Sequence, residues 1–246
     1  MTTFDREIDD RIAANAANEG LRTIADALMK ATIPTRYSYN FSWLGRPIIQ
    51  YPQDIVAMQE LLWSVQPDLV IETGIAHGGS LIFSASMLEL NAACGGPKNA
   101  QVLGVDIDIR AHNRAAIEAH PLSGRIKMIQ GSSIAREVVE EVKAVAAARQ
   151  RVVVCLDSNH THDHVLAELE AYAHLTTVGS YCVVFDTVVE ELPAEFFADR
   201  PWGPGNNPRT AVREFLKRHP EFEIDKRIDN KLLISVAPDG YLKRIR

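Results

Sequence analysis

The sequence predicts an α/β fold: a doubly wound, mostly parallel sheet with a C-terminal antiparallel hairpin and an N-terminal helical and aromatic extension. Three observations point to it. Short apolar runs at 69–72, 102–106, 126–129, 151–157 and 180–186 alternate with stretches of helical pattern, the arrangement that builds parallel sheets. The first run passes through a glycine turn into an apolar helix. After Asp186 the alternation stops, and two further runs, 222–225 and 232–236, are separated by turn formers.

The glycine turn organises the chain. Leu69 to Ile71 reads as a buried strand, Glu72-Thr73-Gly74 breaks it, and Ser80 opens a helix reaching about Asn91. Strand, glycine turn and helix form the entry to a Rossmann-like sheet, with ligand beyond the strand's C-terminal end. The dinucleotide fingerprint is Gly-x-Gly-x-x-Gly. Here the order is Glu-x-Gly-x-x-x-Gly-Gly, with His77 beside the glycines. An acid two residues before the first glycine suits a cation better than a pyrophosphate. That favours S-adenosylmethionine, whose methionine part carries an ammonium and a sulfonium. The candidate donor-binding residues in the turn are Glu72, Thr73, Gly74, His77, Gly78 and Ser80.

The other elements follow in order. Residues 4–31 carry Ile8, Ile12, Leu21, Ile24 and Leu28 in a partial helical pattern, an arm outside the main sheet. Residues 33–53 are aromatic and punctuated by Pro34, Pro47 and Pro52, which rules out a long helix. This segment reads as a cover, a lid or a subunit contact. We place a boundary at 53/54: an N-terminal extension, 1–53, and a catalytic domain, 54–246. Asp54 to Val65 is a helix with one apolar stripe, Ile55, Met58, Leu61, Leu62 and Val65. Helices are also expected at 110–120, 135–148, 164–175 and 210–219.

Bulk properties narrow the function classes. A chain of 246 residues, 46% hydrophobic and 24% charged, can bury a substantial core. Its net charge of −6 leaves no broad basic surface, so no nucleic-acid partner is expected. No apolar run is long enough to span a bilayer, and the polar first 20 residues do not read as a signal peptide. The three cysteines have no metal-binding spacing. A cytoplasmic protein without a membrane partner is expected.

In an open α/β sheet the chemistry lies at the C-terminal strand ends. Asp106 ends the second strand and is placed to take the ribose hydroxyls of an adenosine. Ser132 and Ser133 follow the third. Asp157 and Asp186 follow the fourth and fifth, two strongly apolar strands expected to be neighbours. Two carboxylates forced together repel and raise one another's pKa. A divalent cation such as Mg²⁺ removes that penalty, binds through oxygens and keeps exchangeable waters. An acceptor hydroxyl replacing those waters would lose its proton more easily. Between the aspartates lies Asn159-His-Thr-His-Asp-His164. His160 is the first candidate for the general base, His162 the second; His164 faces along the helix start.

These stretches resemble a known family. Ile49-Gln-Tyr-Pro-Gln-Asp54, Glu72-Thr-Gly-Ile-Ala-His-Gly-Gly-Ser80, Gly104-Val-Asp-Ile-Asp108, Leu156-Asp-Ser-Asn-His-Thr-His162 and Trp202-Gly-Pro-Gly-Asn-Asn-Pro208 resemble the family that groups cephalosporin hydroxylases with rhamnosyl O-methyltransferases, over about residues 35–246. The resemblance implies a class I S-adenosylmethionine-dependent methyltransferase acting on a hydroxyl of a sugar or another small natural product, Mg²⁺-assisted and homo-oligomeric. It implies Glu72, Gly74 and Ser80 at the methionine part, Asp106 at the ribose, and Asp157 and Asp186 on the metal. The pattern is also similar to catechol-type O-methyltransferases, with His160 where those carry a basic lysine. Thr187 departs from it: relatives carry a second carboxylate or an amide there.

Three functions follow as expectations. The first is the Mg²⁺-assisted O-methyltransferase. The second is an oxygenase with iron held by Asp157 and two of His160, His162 and His164. The third is a non-catalytic S-adenosylmethionine-binding partner that docks through residues 33–53.

Overall fold

A computed structural model describes residues 2–246. The N-terminal arm is two helices, α1 (Thr3–Ala17) and α2 (Glu19–Thr32), each started by a side-chain cap, from Thr2 and Asn18. A short 3₁₀ turn, Tyr37–Asn40, leads to a two-strand ribbon, β1 (Ser42–Trp43) and β2 (Arg46–Pro47). Then come α3 (Pro52–Val65), β3 (Leu69–Thr73), α4 (Gly79–Ala93), β4 (Gln101–Asp106), α5 (Ala111–Glu118), β5 (Ile126–Gln130), α6 (Arg136–Ala146), β6 (Val152–Leu156), α7 (His162–Tyr172) and β7 (Tyr181–Val184). The chain closes with α8 (Pro208–Leu216), β8 (Phe222–Ile224), α9 (Lys226–Leu232) and β9 (Tyr241–Arg244).

The main sheet has seven strands in the order β5-β4-β3-β6-β7-β9-β8. β5 to β7 across this order pair in parallel, while β9 runs antiparallel to both β7 and β8. Alternation along the strands divides the core. Val70, Val102, Val153, Cys155 and Val183 face one layer with α3, α4 and Ile117 of α5. Ile71, Leu103, Val105, Val154, Leu156 and Val184 face the other, against α6, α7 and α8. Both faces of β3, β6 and β7 are covered, which is why those strands read as unbroken apolar runs. Among the described residues no helix is long and apolar enough to cross a membrane.

The chain leaves β3 in one direction, through β4 and β5, then returns to place β6 on the other side of β3. The switch point therefore lies between β3 and β6, where ligands bind in such sheets. The doubly wound, mostly parallel sheet with antiparallel C-terminal strands is as expected.

Its last strand is not. Residues 232–236 do not form a strand. Ile228 and Leu232, four apart, sit on the helix α9 and pack on the core, and Leu233 then takes a left-handed backbone with φ 61°. The strand beside β7 is Tyr241–Arg244, whose Tyr241 and Leu242 are fully buried while Lys243 and Arg244 reach out.

Candidate active site

The site grows from the ends of β3, β6 and β7. Thr73 is in register with Leu156, and Leu156 with Val184. Pairing continues past the strands: Asp157 N–H donates to Thr73 O at 2.9 Å, and Phe185 N–H to Leu156 O at 3.0 Å. Adjacent strands lie about 4.8 Å apart, so side chains just beyond these ends are brought together. Asp186 turns the chain with a left-handed φ of 55° into the 3₁₀ segment Thr187–Glu191, a conformation that aspartate tolerates better than most residues.

Asp157, His160 and Asp186 converge, one ligand atom from each lying within 4.8 Å of the others. His160 Nε2 is 3.5 Å from Asp186 Oδ2. An Asx turn delivers the histidine: Asn159 Oδ1 accepts from the N–H and the hydroxyl of Thr161, both at 2.9 Å. The ring also meets Trp202 edge to face, with centroids 4.8 Å apart. The Asp157 carboxyl is pushed well above the usual carboxylate range, first by burial, then by the Asp186 charge and by Glu72. Two oxygen donors, half-buried and repelling, are the set that a hard divalent cation relieves. The residues present therefore fit such an ion.

A cavity of about 930 Å³ opens over this cluster. Its walls are the turn residues Gly74 to His77 with Gly79 and Ser80, the aromatic segment from Ile33 to Tyr51, the Phe196–Phe197 pair, and Trp202. The segment 33–53 thus walls the cavity; β1, through Trp43, also packs against Phe83 of α4.

The predicted site residues divide into two groups. Gly74, His77, Ser80, Asp157, His160 and Asp186 line the cavity. The others do not line it. Glu72 is buried and accepts the Ser80 hydroxyl; burial raises its carboxyl to about 7 against the pull of that bond. Thr73 is fully buried and braces Asp157. Asp106 accepts three backbone N–H groups, from Ile75 (2.8 Å), Ala76 (3.2 Å) and Asp108 (3.0 Å), and so ties the glycine turn to β4. Gly78 caps α4 at φ 82°, where a Cβ would strike Ile117. Ser132 does not line the cavity, and Ser133 is buried with its hydroxyl 3.1 Å from His164 Nε2.

Two expectations change. His162 is not at the cluster: its Nδ1 is 2.8 Å from Thr210 Oγ1, and its N–H donates to Asn206. His164 is taken up by Ser133, Ser158 and Glu168. Only one of the three histidines meets the aspartates, so the two-histidine iron site is not formed. The glycines, too, are explained by the protein itself. A Cβ on Gly74 would sit 2.0 Å from the Asp157 carbonyl oxygen, and one on Gly79 2.1 Å from that of Pro47.

Arg46 gave no signal in the sequence. Arg46 donates to the His77 carbonyl and to Asn113, holding the turn from outside. Thr187 is fully buried and donates to Pro238 O at 2.6 Å, so its hydroxyl is turned away from the cavity.

The profile of the rhamnosyl O-methyltransferase/CmcI family matches residues 35–245. The chain belongs to this family. It is accordingly an S-adenosylmethionine-dependent O-methyltransferase, the first of the three expected functions. It is 28% identical over 207 residues to the rhamnosyl O-methyltransferase of Mycobacterium leprae (strain TN), covering 82% of each chain. It is 30% identical over 194 residues to that of Mycobacterium bovis (strain BCG / Pasteur 1173P2), covering 78% of this chain and 73% of the relative. Among solved structures, CmcI with Mg and SAM shares the fold with a TM-score of 0.57 and 20% identity, over 85% of this chain and 78% of that one. An O-methyltransferase from Bacillus cereus in complex with SAH shares it at a TM-score of 0.51 and 14% identity, over 88% and 90%. The glycine turn, the Asp157 and Asp186 strand ends and the Trp202 loop all lie within the matched span.

Proposed function

We propose that this O-methyltransferase acts on a hydroxyl of a sugar-bearing small molecule, a rhamnosyl group first, with a divalent cation held by Asp157 and Asp186. The observation that carries the reading is the convergence of Asp157, His160 and Asp186 at the floor of one cavity. The sugar acceptor is suggested by the names of the mycobacterial relatives, and Mg²⁺ by the CmcI structure.

The donor lies against the glycine turn. Ser80, its hydroxyl fixed by Glu72, and the backbone of Gly74 face the methionine part. Asp106 serves the ribose while it braces the turn; a carboxylate offers about four lone-pair sites and three are in use. His77 walls the same space, with Thr73 bracing Asp157 and Gly78 starting α4. When bound, the donor supplies an electrophilic methyl group on a positively charged sulfur. A cation at the two aspartates would lower the pKa of a nearby hydroxyl and hold it in place. His160 takes the acceptor's proton at the imidazole nitrogen facing the cavity floor. The cavity walls would hold the acceptor against the donor, so positioning would supply much of the rate. We carry the homo-oligomer and the cytoplasmic setting as part of the same reading; light scattering on the purified chain tests the former.

The test is direct. The chain is incubated with labelled S-adenosylmethionine, Mg²⁺ and a panel of rhamnose-bearing glycosides, nucleotide sugars and sugar-free hydroxylated compounds, and products are separated. A methylated sugar is expected. Turnover confined to acceptors without a sugar would overturn the choice of acceptor.

A further inference from the structure

We propose that Glu190 and Trp202 are positioning residues for His160: Glu190 anchors the 202–208 loop, and the loop holds the indole against the imidazole. The inference rests on the reading of His160 as the proton acceptor, but its structural half stands alone.

The anchoring is specific. One Glu190 oxygen, Oε2, accepts the Gly205 N–H at 2.8 Å and the Asn207 side-chain amide at 2.5 Å, and Arg213 approaches the other at 3.3 Å. Burial pushes the Glu190 carboxyl up, yet those hydrogen bonds and the arginine outweigh it and hold it below the usual range. Asn207 is fully buried, caps α8 through Arg209 and Thr210 N–H, and donates to Gly203 O. Gly203 and Asn206 exchange two backbone hydrogen bonds, both 3.0 Å. The loop is therefore closed on itself and fixed at one carboxylate.

The same loop is tied to the segment that carries His160. Asn206 Oδ1 accepts the His162 N–H at 2.8 Å, and Thr210 meets the His162 ring. Trp202 completes the link by packing perpendicular to His160, with Arg200 lying 5.3 Å over the indole. Trp202 lines the cavity beside His160 and Asp186. Its indole removes the free swing that an imidazole on a loop would otherwise have. A general base that samples other rotamers spends less time aimed at the acceptor, and misplacement of a reacting group is expensive in rate.

Four variants test this: Trp202→Ala, Trp202→Phe, Glu190→Ala and Glu190→Gln, each checked for an unchanged melting profile. The structural readout is the His160 ring proton resonances by NMR, which the facing indole shifts. In W202A and E190A they should move toward free-histidine positions. In W202F they should stay displaced, and E190Q should lie between, because its amide oxygen can still accept from Gly205. The kinetic readout is kcat, expected to fall about 10-fold or more in W202A and E190A and to recover largely in W202F, with donor KM within about twofold throughout. Unmoved His160 resonances in Glu190→Ala, which keeps the indole, would overturn the proposal, whatever the activity. Resonances that move while kcat does not would remove the functional half. If no variant and no wild-type sample turns over any acceptor, the proposed reaction fails, and the NMR shifts still decide the positioning claim. Should E190A not fold, E190Q and W202A carry the test.

Discussion

Gly74 and the Asp157 main chain occupy space that a single Cβ would need. A methyl on Gly74 would lie 2.0 Å from the Asp157 carbonyl oxygen and 2.6 Å from its carbon, and Gly74 stands at φ 90°. Both the clash and the backbone angle exclude other residues. The close approach brings Asp157 alongside the glycine turn, and so puts the candidate metal ligand next to the candidate donor site.

Gly74→Ala should therefore cost at least about 3 kcal/mol of stability, because backbone cannot yield as a side chain can. Denaturant unfolding measures it. Gly20→Ala, inside α2 and with only ordinary contact near its Cβ, is the control and should gain up to about 1 kcal/mol. Equal effects at the two positions would contradict the close approach.

Asp157→Asn should stabilise the metal-free protein, since it removes a like charge from Asp186 and from Glu72. In Mg²⁺ the order should reverse. At about 100 times its dissociation constant the ion adds about 2.7 kcal/mol to wild type, and the variant gains none. Transfer should be abolished in the variant while donor affinity, measured by calorimetry, is largely kept. Melting curves that ignore Mg²⁺ in both proteins would remove the ion from the site.

Glu72 is a buried carboxyl raised to about 7, with one hydroxyl partner. Its folded pKa exceeds its unfolded value. The stability it contributes is complete below about pH 4.5 and is lost as pH rises through about 7. Glu72→Gln removes that loss, so the variant should be more stable than wild type at pH 8 by up to about 3 kcal/mol, with no advantage at pH 4. Donor affinity should fall, because Ser80 loses the carboxylate that orients it. Asp54, raised to about 6 by its complete burial, adds a second sloping region in both proteins. A variant that gains no stability at pH 8 would contradict the assignment.

Thr187→Val should cost about 1–2 kcal/mol by leaving the Pro238 carbonyl unpaired, and should leave Mg²⁺ affinity within about twofold. The threonine hydroxyl already bonds Pro238 O, so it is held away from the two aspartates. A tenfold loss of affinity on titration would place the hydroxyl on the ion instead.

Much of this was legible in the sequence because it depends on local rules. Runs such as Val152–Leu156, short, β-branched and buried on both faces, suit central strands, and the residues that follow such strands sit at the sheet's carboxyl edge. Asp157, His160 and Asp186 were found that way. The final strand was not, because Leu232 to Val236 is apolar while Tyr241–Arg244 carries two cations. What decides there is tertiary: the slot beside β7 takes Tyr241 and Leu242, and Ile228 and Leu232 go to the core from a helix. The histidines show the same limit. Alternation at 160, 162 and 164 says nothing of which ring faces the cavity, because the turn at Asn159 and the contacts of Asn206 and Thr210 decide it. Glu190 had no signal at all: its partners are 15 and 17 residues away on a loop.

The most direct measurement is the initial rate of labelled methyl transfer from S-adenosylmethionine to a rhamnose-bearing acceptor, with Mg²⁺ and with a chelator, for wild type and Asp186→Asn. The predicted result is transfer by wild type in Mg²⁺, a loss on chelation reversed by added Mg²⁺, and no Mg²⁺-dependent rate in the variant. Transfer that proceeds equally with chelator, or in the variant, would contradict the account.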